Sequence, residues 1–140
     1  MTIKQKANSL ARKHNSRNPL EIIKNLNVIL VYYPFKDVRG FYQFFQRNNI
    51  IYIDENLPEN EQIVVCAHEL GHMLLHKKSN ALFMDTRTHF VTAKYENEAN
   101  TFAAELLIPD EIIFENPSMT KSQIARLIGY DKKIMEFKKI

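Results

Sequence analysis

Cysteine is nearly absent: Cys66 stands alone, so no internal disulfide can form and a disulfide-stapled secreted fold is excluded. Long hydrophobic runs are missing too. The opening residues Met1-Thr2-Ile3-Lys4-Gln5-Lys6 lead into an amphipathic pattern, not an export signal, and no stretch is long and apolar enough to span a bilayer. The expectation is a cytoplasmic protein. Charge of one sign is also scarce: the net charge of +3 permits contact with nucleic acid but does not argue for it. Nor is the composition that of a disordered chain, since 45% hydrophobic and 25% charged residues are ordinary for a globular protein. A length of 140 residues fits one domain, 1–140, with a sizeable core.

What the chain does contain is His68-Glu69-Leu70-Gly71-His72. Histidines four apart on a helix project from one face and can reach the same metal ion, and Glu69 lies about a quarter-turn from His68, beside the open coordination position. This is the zincin arrangement, in which Zn²⁺ lowers the pKa of a bound water and the glutamate takes its proton. The flanks, from Ile63 to Ala67 and from Met73 to Leu75, make the helix apolar on nearly every side, so it is buried. Pro58, Glu59 and Glu61 at its start and Lys77 and Lys78 past its end predict a central helix over about 58–76. Cys66 points away from the metal face and reads as a small core residue.

A catalytic zinc needs a third protein ligand. The segment from Tyr95 to Pro109 predicts a helix with Ala99, Phe102, Ala103, Leu106 and Leu107 as its buried stripe. Glu96 borders that stripe, with Asn100 one turn on, while Glu98 falls further round with Glu105 on what reads as a solvated edge. Glu96 is the preferred ligand and Glu98 the alternative.

The string AHELGHMLLH followed by ENEANTFAAELLIP resembles the ImmA/IrrE family of metallopeptidases, and the preceding NIIYIDENLP is similar to the family's strand and turn. The resemblance runs from about residue 20 to about residue 130. It implies a zincin-like α+β fold and zinc held by His68, His72 and Glu96, with Glu69 as the catalytic glutamate. It also implies a function, because members carried on prophages and conjugative elements act as antirepressors that cleave a helix-turn-helix repressor encoded nearby.

Elsewhere, Ile3 to His14 predicts a first helix, and Asn18 with Pro19 opens a second. The basic residues Lys4, Lys6, Arg12, Lys13 and Arg17 read as a solvated face. Val28–Tyr33, Phe41–Gln46 and Ile50–Ile53 predict a small three-stranded antiparallel sheet with a turn at Arg47-Asn48-Asn49. In zincins the edge strand commonly borders the cleft, which makes Phe41, Tyr42 and Phe44 candidates for substrate pockets or, equally, for core packing. Residues 77–94 predict a loop that brings Glu96 to the histidines and is a candidate cover for the cleft, and His76, His89 and Tyr95 are candidate oxyanion donors, with His76 placed by default behind the metal ligands or on the surface. Within residues 115–140, the capping pair Thr120/Gln123, Gly129 and a helix over about 131–139 predict a helix-turn-helix-like pair that belongs to the same domain. The apolar Ile134, Met135 and Phe137 leave that last helix little surface for reading bases, so direct DNA binding is not expected.

The resulting expectation is a zinc-dependent endopeptidase acting on a helix-turn-helix repressor. The alternative is a metal-containing regulatory module that binds a repressor or DNA without cutting, but such a module has no need of Glu69.

Overall fold

The structure, a computed structural model, describes residues 1–77 and 89–139, with backbone alone at residues 89–92. In chain order the elements are α1 (Ile3–His14), α2 (Pro19–Asn25), β1 (Ile29–Tyr33), β2 (Gly40–Phe45), β3 (Asn48–Asp54), α3 (Glu59–His76), α4 (His89–Leu107), α5 (Asp110–Glu115), α6 (Lys121–Ile128) and a 3₁₀ turn at Lys132–Glu136. The class is α+β. Local sequence explains most boundaries. The side chain of Asn18 caps α2 at the backbone N–H of Leu20, Thr120 and Gln123 form the capping box of α6, and Gly129 closes that helix in the left-handed conformation at φ 91°.

The sheet is mixed, which corrects the expectation of an antiparallel one. Its order is β1-β3-β2, with β1 parallel and β2 antiparallel to β3. β3 takes the centre because Ile51 and Ile53 are its most deeply buried side chains, both fully inaccessible. The connector after Tyr33 therefore crosses the end of β3, where Tyr33 and Arg39 carbonyls accept from the N–H groups of Glu55 and Asp54. The hairpin turn also differs. Phe45 pairs with Asn48, so the turn is Gln46-Arg47, at φ 48° and 66°, and Asn48 and Asn49 already belong to the strand. Positive φ at both positions is the twist a two-residue hairpin requires.

Helix α3 lies between the sheet and α4. Val65, Cys66, Ala67, Leu70 and Met73 join Ile51 and Ile53 on one side and Phe102, Ala103 and Leu106 on the other in one buried cluster, which also includes Ile124, Ala125, Ile134 and Met135. Two glycines set the spacing. A Cβ at Gly71 would stand 3.2 Å from both the Ala99 carbonyl oxygen and the Phe102 Cβ, and one at Gly40 would stand 2.6 Å from Val65 Cγ1. Without side chains there, α4 and β2 approach α3 closely on its two flanks.

Helix α4 begins at His89, so the last six positions of the predicted loop are helical; the candidate cleft-covering stretch at residues 78–88 and the side chain of His89 lie outside the described residues. The predicted helix over 131–139 is instead the short 3₁₀ turn, capped by the side chain of Asp131.

Glu105 is likewise not on a solvated edge: it is 1% exposed. Its carboxylate accepts from Lys138 Nζ at 2.6 Å and from the Lys139 N–H at 3.0 Å, and Lys138 also donates to Asp110 at 2.6 Å. Of the basic residues expected on a solvated face, Lys4 pairs with Asp110 at 3.0 Å and Arg17 donates to the carbonyls of Glu105 and Leu106 at the end of α4. Removing one partner of a buried pair strands the other charge, at a cost of about 3–5 kcal/mol. Lys138→Met is therefore expected to lose about that much stability in urea unfolding, and adding Glu105→Leu should restore a large part of it.

Candidate metal centre

The three predicted ligands meet. His68 and His72 share one face of α3, and α4 crosses close enough at Gly71 for Glu96 to reach both. His68 Nε2 lies 2.9 Å from Glu96 Oε2, and His72 Nε2 lies 2.9 Å from Glu96 Oε1. Ligand atoms of all three residues fall within 4.8 Å of one another. For comparison, a tetrahedral zinc with bonds of ~2 Å separates its ligands by roughly 3.3 Å.

The donor set fits a divalent cation. Asn100 Oδ1 lies 2.7 Å from His68 Nδ1, and an amide oxygen can only accept, so Nδ1 carries a proton, and a cation would take the Nε2 lone pair in place of the hydrogen bond that Nε2 makes to Glu96. Glu96, as a carboxylate, is also acceptor-only. Electrostatics agree. Hydrogen bonds from His68 and His72 hold Glu96 well below the usual carboxylate range. Burial opposes charge on His68, but Glu96 and Glu69 outweigh it and lift its pKa above the ordinary histidine value. A site that draws positive charge this way, with two ring nitrogens and one carboxylate, suits a divalent metal ion.

Glu69 is 7% exposed and is not one of the three converging groups. Burial is the main cause of its raised pKa, partly offset by His68 and His72 and reinforced by Glu96. A buried carboxylate with a raised pKa beside a cation site has the character of a general base.

Three neighbours surround the cluster. Asn100 orients His68, and its signal was its place one helical turn after Glu96. His76, expected behind the metal ligands or on the surface, with an oxyanion role as the alternative, is 6% exposed and hydrogen-bonded to His72, with Nδ1 to Nδ1 at 3.0 Å. Glu98, expected on the solvated edge, instead meets His76 Nε2 at 3.1 Å. Burial lowers the His76 pKa below the ordinary histidine value despite the opposing effect of Glu98. The Tyr95 ring lies 4.4 Å from that of His76.

Of the three candidate pocket residues on β2, Tyr42 packs partly into the core and donates to Asn49 at 2.6 Å. Phe41 stacks on Tyr52 with ring centroids 4.2 Å apart, and Phe44 is exposed with Lys77 Nζ 4.4 Å from its ring centre. β2 is an edge strand and runs against α3.

An α+β domain with a two-histidine, one-glutamate cluster on crossed helices is the class of the zincin-like metallopeptidases. Within that class, the chain belongs to the peptidase M78 family, the IrrE N-terminal-like domain, whose family model matches residues 23–138. It is 38% identical over 139 residues to "Uncharacterized immunity region protein 2" of Bacillus phage phi105, covering 97% of this chain and 88% of that protein. It is also 29% identical over 142 residues to "Metallopeptidase ImmA" of Bacillus subtilis (strain 168), covering 97% and 83%. No helix among the described residues is long and apolar enough to cross a membrane.

Proposed function

We propose that this protein is a cytoplasmic, zinc-dependent endopeptidase that cleaves a helix-turn-helix repressor encoded near its own gene, as an antirepressor of a prophage or other mobile element. The observation that carries the proposal is the convergence of the His68, His72 and Glu96 ligand atoms beside buried Glu69. The names of the two relatives, an immunity region protein and a metallopeptidase, support the setting and the chemistry respectively.

In this proposal His68, His72 and Glu96 hold the zinc, which when bound supplies Lewis acidity towards a peptide carbonyl and towards water. Glu69 accepts the proton of the attacking water and passes it to the leaving amine nitrogen as the C–N bond breaks. Substrate binding falls to β2, an edge strand among the described residues, which can pair with an extended peptide through backbone hydrogen bonds. Docking of a folded partner, not the cleft alone, then restricts the substrates, and a generic protein such as casein is a poor one.

The test is to incubate the purified protein with the neighbouring helix-turn-helix protein. Wild type is expected to yield two defined fragments, and Glu69→Ala to leave the repressor intact. Loss of repression by both proteins with the repressor uncut would instead establish a regulator that acts by binding.

A further inference from the structure

Glu96 and the two motif histidines account for the metal, but the next turn of α3 carries a third histidine that they leave unexplained. His76 is buried and connects His72 to Glu98: Nδ1 of His72 and Nδ1 of His76 are 3.0 Å apart, and His76 Nε2 is 3.1 Å from Glu98 Oε1. A neutral imidazole carries one N–H and one lone pair, and both ends of this chain, Glu98 and Glu96, are carboxylates that can only accept. A cation held at His72 Nε2, the nitrogen 2.9 Å from Glu96, would take the lone pair there and so set the direction. The His72 proton is then on Nδ1. His76 Nδ1 accepts it, and the Nε2–H of His76 goes to Glu98.

We infer that His76 and Glu98 are positioning residues for the metal, a relay that holds His72 in the one tautomer able to ligate through Nε2. Asn100 does the same for His68 in a single step, at 2.7 Å. The two histidines are thus held by unlike devices, an amide for one and an imidazole–carboxylate pair for the other. Helix geometry explains the arrangement. His72 and His76 are four apart on α3 and share one face, while Glu96 and Glu98, two residues apart on α4, each reach one of them. Hydrogen-bond partners of metal-bound histidines typically change metal affinity by about 10–100-fold.

The inference rests on the zinc reading, and the test separates the two. Zinc affinity is measured by competition with a fluorescent chelator for wild type, His76→Leu, His76→Gln and Glu98→Ala, with circular dichroism reporting the fold. His76→Leu fills the space but can accept nothing from His72, so a loss of about 10–100-fold is expected. His76→Gln offers a carbonyl to His72 and an amide N–H to Glu98, and is expected to recover most of that loss. Glu98→Ala, at a half-exposed position, keeps the fold and is expected to weaken zinc binding in the same direction. In the zinc-loaded protein, the His72 Nδ1 proton should exchange slowly with water in wild type and fast in His76→Leu. Should His76→Leu unfold, Glu98→Ala decides alone. Equal zinc affinity in wild type, Glu98→Ala and any folded His76 variant overturns the relay, whereas failure of wild type to bind zinc overturns the proposed function itself.

Discussion

Glu69→Gln is expected to keep its zinc, one ion per chain, and to cleave about 10²–10⁴-fold more slowly than wild type. The substitution preserves shape and removes only the ability to take a proton. Glu69 is outside the ligand cluster, so metal content should not change. Stability distinguishes this from general damage. Burial raises the Glu69 pKa, meaning that its ionised form is less well accommodated in the fold than in water, and this unfavourable contribution is present at pH values above its folded-state pKa. At neutral pH the neutral glutamine should therefore leave the melting temperature of the metal-free protein unchanged or higher. Slow cleavage with normal zinc and normal melting assigns Glu69 to proton transfer. Slow cleavage accompanied by lost zinc would assign it to the metal site.

The second large effect separates Glu96 from Glu98. The two carboxylates lie two residues apart on α4 and both contact a histidine of α3, yet Glu96 touches His68 and His72 while Glu98 touches only His76. Glu96→Ala removes a ligand, and its zinc affinity should fall by more than the roughly 100-fold reached by hydrogen-bond partners of ligands. Thermal unfolding gives a direct reading. Free zinc at 100 times its dissociation constant stabilises a protein by about 2.7 kcal/mol, equivalent to a rise of about 10 °C for a domain of this size. Wild type should show that rise, Glu98→Ala should show it at higher zinc, and Glu96→Ala should show none over the same range.

The site was legible in the sequence because its geometry is local. Four-residue spacing puts His68 and His72 on one face of any helix, and the apolar stripe of α4 fixes which edge Glu96 occupies. The same stripe misplaced Glu105, because its buried partner Lys138 lies 33 residues away and no periodicity encodes that pairing. The parallel pairing of β1 with β3 escaped for a similar reason: it depends on which strand wins the centre of the sheet, and three short strands in succession suggest neighbours pairing in order. The hairpin turn was misplaced because Gln46 and Arg47, not asparagines, adopt the left-handed conformation. His76 was placed only as an open choice between the metal ligands' surroundings and the surface. Its spacing from His72 repeats that of the motif, but only the fold shows Glu98 on its far side.

The central claim is that one divalent cation is held jointly by His68, His72 and Glu96. Elemental analysis of the purified protein, after exchange into buffer containing trace zinc, tests it most directly. The account predicts about one zinc per chain in wild type and almost none in His68→Ala at equal fold content. Zinc absent from wild type, or retained at the same stoichiometry in His68→Ala, would contradict it.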